Sequence, residues 1–103
     1  MAFTIEAAAD ARTYRLLGEL DMAVTARLLE RLEPACSDRG DLVLDLDGLE
    51  FIDSSGIRAL ITVSRGLRAG DLVLQGPRGE VAKALGAVRA ETFPGFRIVG
   101  RSS

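Results

Sequence analysis

Two uninterrupted apolar triplets, Leu42-Val43-Leu44 and Leu72-Val73-Leu74, constrain this chain more than any other feature. The first is bounded by Gly40 and Asp47-Gly48, the second by Gly70-Asp71 and Gly76-Pro77. Short continuous apolar runs between turn signals are strands covered on both faces, whereas a half-exposed strand alternates apolar and polar residues. Such strands call for helices above and below the sheet. Between the two triplets Ile57, Leu60, Ile61 and Leu67 recur at helical spacing, with Arg58, Thr62 and Arg65 between them. A strand, a helix and a second strand in that order make a parallel pair joined by a crossover.

The flanking segments extend the pattern. Phe3-Thr4-Ile5-Glu6 alternates, three alanines and Asp10-Ala11 turn, and Tyr14-Arg15-Leu16-Leu17 resumes as extended chain to Gly18, which reads as a hairpin. After Asp21, the expected N-cap, Val24, Leu28, Leu32 and Ala35 describe a first helix, with Leu29 and Cys36 beside them and Pro34 near its end. Asp41 to Leu46 is the third strand. Val81, Ala84, Leu85 and Val88 give a short third helix, and Pro94-Gly95 leads into Phe96-Arg97-Ile98-Val99. The resulting expectation is one α/β domain over residues 1–103, with a mixed, mostly parallel sheet of about five strands and helices packed against it. No internal repeat and no linker is visible.

Composition narrows the chemistry. Zero His removes imidazole acid/base catalysis and most zinc sites, and the single Cys, Cys36, removes disulfides and cysteine metal clusters. No catalytic residues, no metal and no cofactor are expected. No stretch approaches the roughly 20 apolar residues of a membrane span, and Met1-Ala2-Phe3-Thr4 lacks the basic and apolar regions of a signal peptide, so a cytoplasmic protein is expected. A net charge of -2 and a pI near 5.1 give no footprint for nucleic acid or an anionic membrane. The charge is uneven: residues 1–50 carry 11 acids and 5 bases (-6), residues 51–103 carry 4 acids and 8 bases (+4).

In a sheet of this kind, function gathers where carboxyl ends of strands meet helix starts. Two polar segments fall there, Gly18-Glu19-Leu20-Asp21 and Asp53-Ser54-Ser55-Gly56. Asp and Ser are helix-capping residues, and a cap explains one such side chain. Here three polar side chains precede a Gly that costs a helix about 1 kcal/mol. A small exposed Ser beside a Gly leaves the backbone open to close approach by another molecule. Hydrolysis by Ser54 or Ser55 lacks a base, because there is no His and the only Lys, Lys83, lies in the third helix. No Gly-rich run ends in Lys-Ser or Lys-Thr, so there is no P-loop. Asp45, Asp47, Glu50 and Asp53 only loosely resemble the oxygen cluster of a cation site, and Asp45 and Asp47, which flank Leu46, read as a solvated strand end and turn. Phosphorylation fits better. A phosphate on Ser54 would place about -1.5 to -2 charges at a helix N-terminus, which tolerates them, and would change the sign of the surface.

These residues resemble the STAS domain family, in particular its bacterial anti-sigma factor antagonist branch. The resemblance rests on Leu17-Gly18-Glu19-Leu20-Asp21 followed by Thr25, and on Leu42-Val43-Leu44-Asp45-Leu46 leading through Leu49-Glu50-Phe51-Ile52 into Asp53-Ser54-Ser55-Gly56-Ile57. It implies a binding module without catalytic activity that, when unphosphorylated, captures an anti-sigma factor and frees a sigma factor. The anti-sigma factor in such systems is often a serine kinase, which would phosphorylate Ser54, with a protein serine phosphatase reversing the step. Asp21, Asp53, Ser54, Ser55, Gly56 and Ile57 would form the partner-binding surface. The alternative is a STAS scaffold or transport-accessory module with no phosphate switch. The sequence departs from the pattern after its last strand. Family members commonly carry a further amphipathic helix there, whereas Gly100-Arg101-Ser102-Ser103 follows here. A monomer is expected.

Overall fold

A computed structural model describes residues 2–100; the expectations attached to Met1 and to Arg101-Ser102-Ser103 fall outside the described residues. The elements are β1 (Thr4–Ala7), β2 (Thr13–Leu20), α1 (Thr25–Cys36), β3 (Leu42–Asp45), β4 (Leu49–Ile52), α2 (Ser54–Gly66), β5 (Leu72–Gln75), α3 (Gly79–Ala87) and β6 (Phe96–Val99), with a 3-10 turn at Ala90–Thr92 before β6. The strands run in the order β1-β2-β3-β5-β6, and β4 also pairs with β2. Among the described strands only β1 is antiparallel to its neighbour. The mixed, mostly parallel α/β sheet is therefore as the sequence predicts, with one strand more.

That extra strand is β4. Strand β2 is long enough to pair twice: Thr13–Arg15 lies along Val43–Asp45, and Gly18–Leu20 lies along Leu49–Ile52. The register shifts between Gly18 and Glu19, opposite the additional residue Glu50. The shift gives β4 the burial pattern buried, exposed, exposed, buried, which hides the two-residue alternation of a strand.

Each crossover, β2 to β3, β3 to β5 and β5 to β6, steps the same way along the sheet. Right-handed crossovers that step in one direction put all their helices on one face. The core agrees. One cluster joins Tyr14, Leu16, Leu44 and Leu74 of the sheet to Leu28 and Leu32 of α1, Leu60 and Val63 of α2, and Val81 and Leu85 of α3. Residues of opposite parity, including Arg15, Val43, Asp45, Gln75 and Arg97, are exposed or half-buried. The expectation of helices on both sides is thus corrected. Val73 is only 5% exposed although it lies outside the core cluster, because it sits mid-sheet, in register with Val43 and Arg97.

A second correction concerns repetition. Gly40-Asp41-Leu42-Val43-Leu44 and Gly70-Asp71-Leu72-Val73-Leu74 are identical, and they lie side by side with Leu42 opposite Leu72 and Leu44 opposite Leu74. Their entrances interlock. The Asp71 N–H donates to Asp41 Oδ1 at 2.8 Å. Gly70 has φ +95°, and a Cβ there would stand 2.5 Å from the Gly40 carbonyl, so only Gly fits. The Arg12 guanidinium donates to the carbonyls of Ala35, Gly40 (2.7 Å) and Asp41 (3.1 Å), tying the end of α1 to the start of β3. The Asp71 N–H, seconded by Arg97 at 2.6 Å, holds the Asp41 carboxyl below the usual carboxylate range.

Candidate functional site: a strand-end rim carrying Ser54

Helix α2 begins at Ser54 because Asp53 ends the strand and starts the helix at once. Its backbone is extended, its Oδ1 accepts from the Gly56 N–H at 2.9 Å, and its carbonyl accepts from the Ile57 N–H at 3.0 Å. One orphan helix donor, the Gly56 N–H, is thereby satisfied, and the first bond of the helix is closed. Gly56 is required from below: a Cβ would fall 2.7 Å from the Leu20 carbonyl oxygen and 2.7 Å from Ile52 Cγ1. The helix start therefore rests directly on the ends of β2 and β4. This seating decides which side chains are available. Ser54 is exposed, Asp53 and Ser55 are half-buried, and Gly56 and Ile57 are buried.

The second polar segment arrives beside the first. Leu20 pairs with Ile52, and the Asp53 N–H donates to the Leu20 carbonyl at 3.3 Å, so Asp21 and Asp53 emerge from adjacent strand ends. Asp21 is not the N-cap of α1, which is Val24. Its Oδ1 accepts from the Ala23 N–H at 3.0 Å and its carbonyl from the Val24 N–H at 3.1 Å, closing a turn before the helix. A carboxylate can close such a turn as readily as it caps a helix, which is why position alone misassigned it.

Two residues of this rim carry no polar motif. Met22 is 75% exposed and Phe51, opposite Glu19 in the β2–β4 register, is 42% exposed. Their exposure depends on where β2 and β4 end, and only the pairing of Leu49–Ile52 as a strand reveals it. Glu19 and Glu50 are exposed nearby, and none of Glu19, Asp21, Glu50 and Asp53 is ion-paired among the described residues. The rim thus joins an exposed hydroxyl, two exposed apolar side chains and unpaired carboxylates, which suits recognition by another protein.

Groups that could activate the hydroxyl lie elsewhere. Lys83 sits on α3, 3.6 Å from Glu80. Cys36 lines a groove of ≈ 410 Å³ between α1 and α2, with Leu32, Val63 and Arg68, and burial pushes its thiol pKa up. No group of three or more metal-ligating side chains is gathered among the described residues, and no described helix is long and apolar enough to cross a membrane.

Fold and rim together define a small α/β domain that presents one serine at a helix start beside two converging strand ends. The STAS domain family model matches residues 2–98, and the chain belongs to that family. Among solved structures, the anti-sigma factor antagonist SpoIIAA in its unphosphorylated form is similar at 20% identity, with a TM-score of 0.69 over 99% of this chain and 90% of that one. A putative anti-sigma factor antagonist from Thermotoga maritima is similar at 16% identity, with a TM-score of 0.68 over 94% of this chain and 85% of that one. An uncharacterized protein with a SpoIIAA-like fold from Shewanella loihica gives 17% identity and a TM-score of 0.54, over 94% and 83% of the two chains. No curated protein matches.

Proposed function

We propose that this chain is an anti-sigma factor antagonist that binds an anti-sigma factor serine kinase when unphosphorylated, releases a sigma factor, and is switched off by phosphorylation of Ser54. The observation that carries this reading is the exposed Ser54 hydroxyl at the first residue of α2, on a rim shared with Asp21. The STAS fold, shared with SpoIIAA, supports it. The chain acts as a binding surface rather than a catalyst, and ATP and magnesium belong to the kinase.

The physics of the switch is local. Asp21, Asp53, Ser54 and Ser55 reach the surface, while Gly56 and Ile57 act from beneath by fixing the seat of α2. A phosphate on Ser54 adds about two negative charges beside Asp53, and the N-terminal end of α2 accommodates them without breaking the helix. A partner matched to the neutral hydroxyl must then desolvate an acidic cluster. A penalty of about 2.7 kcal/mol lowers affinity a hundredfold.

The test incubates the protein with the cognate kinase, ATP and magnesium. A single phosphate on Ser54 is expected, with loss of kinase binding, reversal by the cognate phosphatase, and constitutive binding by Ser54→Ala. Phosphate elsewhere, or equal affinities for Ser54→Ala and Ser54→Asp, would leave a STAS scaffold without a switch.

A further inference from the structure

Strand β2 separates the outer edge of β1 from β4, which leads into Ser54, and the switch proposed above does not invoke that edge. In an antiparallel pair, successive residues alternately bond the partner strand and face away from it. The Ala8 N–H donates to the Thr13 carbonyl at 2.8 Å, so Glu6 and Thr4 also face β2, opposite Arg15 and Leu17. Ile5 and Ala7 therefore turn their N–H and C=O groups outward, on a sheet that ends at β1.

A groove of ≈ 350 Å³ runs beside this edge, lined by Phe3, Thr4, Ile5, Arg27 and Arg31. Its two arginines are held in place. Arg27 lies 5.3 Å from the Phe3 ring centroid and donates to the Phe3 carbonyl, and Arg31 lies 5.3 Å from the Tyr14 ring centroid. Neither is ion-paired among the described residues, and Glu30 beside them leaves the wall net positive. Like charges four residues apart weaken a helix slightly, so helix stability does not account for the pair.

We propose that this groove takes an extended acidic segment of a partner protein, which adds to β1 as a further strand. Its main chain bonds the outward groups of Ile5 and Ala7, and carboxylates on alternate residues meet Arg27 and Arg31. The spacings agree: alternate strand residues stand about 6.8 Å apart, and four residues of helix rise about 6 Å. A helical ligand satisfies its own backbone and would leave the β1 edge unused. A basic strand would face two guanidinium groups.

The test titrates isotope-labelled protein with the blocked peptide Thr-Asp-Val-Asp-Val-Thr and with its Lys-for-Asp counterpart, read by amide shifts and hydrogen exchange. The acidic peptide is expected to shift Ile5, Ala7, Arg27 and Arg31, and to slow exchange at Ile5 and Ala7. The basic peptide should not bind, and Arg31→Glu should weaken binding about tenfold. Ala7→Pro removes an outward N–H without touching the ladder, so it should abolish binding while the rest of the spectrum stays native. If that variant fails to fold, exchange at Ile5 and Ala7 together with Arg31→Glu decides. Equal binding of the two peptides, no binding at millimolar peptide, or shifts centred on Ser54 would overturn the proposal. Protection of Ile5 and Ala7 that grows with protein concentration alone would overturn it in favour of two copies pairing through β1.

Discussion

Replacing Gly56 by Ala sets two effects of known sign against each other. Alanine favours a helix over glycine by about 1 kcal/mol, so propensity alone predicts stabilisation. The new Cβ, however, would lie 2.7 Å from the Leu20 carbonyl oxygen, 2.7 Å from Ile52 Cγ1 and 2.9 Å from Leu20 Cγ. Overpacking of this kind costs about 1–3 kcal/mol. The upper part of that range applies, because the nearest oxygen is backbone and accepts from the Asp53 N–H at 3.3 Å. The clash wins, for a net loss of about 1–2 kcal/mol. Gly86 supplies the internal control. It lies in α3, and a methyl group added there would meet nothing within 4 Å, so Gly86→Ala should gain about 0.5–1 kcal/mol. In thermal unfolding followed by circular dichroism, Gly56→Ala should melt roughly 5–15 °C below the wild type and Gly86→Ala a few degrees above it. A Gly56→Ala protein as stable as Gly86→Ala would refute the claim that α2 is seated directly on the end of β2.

Two further outcomes test the opposite end of the sheet. Arg12→Met should cost about 2 kcal/mol in urea unfolding, since three carbonyl bonds to a charged donor are lost; a cost no larger than that of Arg97→Met, an exposed ion pair, would count against this role. Asp41 has a folded pKa below its ordinary value, so its stabilisation is present at neutral pH and is lost as pH falls through the folded value, below about pH 4. The stability difference between wild type and Asp41→Asn should therefore shrink on acidification, and a difference independent of pH would contradict the assignment.

What could be read from the sequence was what depends on neighbours in the chain. The triplets at Leu42 and Leu72 and the helical spacing through Leu28, Leu32, Leu60 and Val81 became elements, because burial of one stripe or one face fixes the local conformation. The cap at Asp53 was legible for the same reason, its bond reaching only to Gly56. Strand β4 was not, because the irregular register with β2 breaks its alternation. The helical spacing through Leu67 runs past the end of α2: the chain leaves the helix after Gly66, yet Leu67 still packs against the core and keeps the helical phase. Helices on one face rather than two follow from crossover direction, which needs the strand order. At the site, the segments carrying Asp21 and Ser54 are legible as strand-end, helix-start positions, but that they share one rim follows only from the pairing of Leu20 with Ile52, and nothing in the sequence neighbourhood of Met22 and Phe51 sets their exposure.

The proposed switch separates recognition from folding, and that separation is itself measurable. Ser54 is exposed and its side chain makes no hydrogen bond among those of the described residues, so replacing it removes no support from α2. An acid at this position meets the positive end of the helix, worth about 0.3–1 kcal/mol, against repulsion from the capping carboxylate of Asp53. The two nearly cancel, so Ser54→Asp should unfold within about 0.5 kcal/mol of the wild type. By the same balance Ser54→Lys, which loses against the dipole and gains from the Asp53 carboxylate, should also unfold within about 0.5 kcal/mol of the wild type. If the kinase complex weakens a hundredfold while the unfolding curve of Ser54→Asp stays in place, charge on the rim is the cause. Should Ser54→Asp instead lose helical signal, a phosphate would act by melting the start of α2, and the intact-scaffold account of the switch would have to be abandoned.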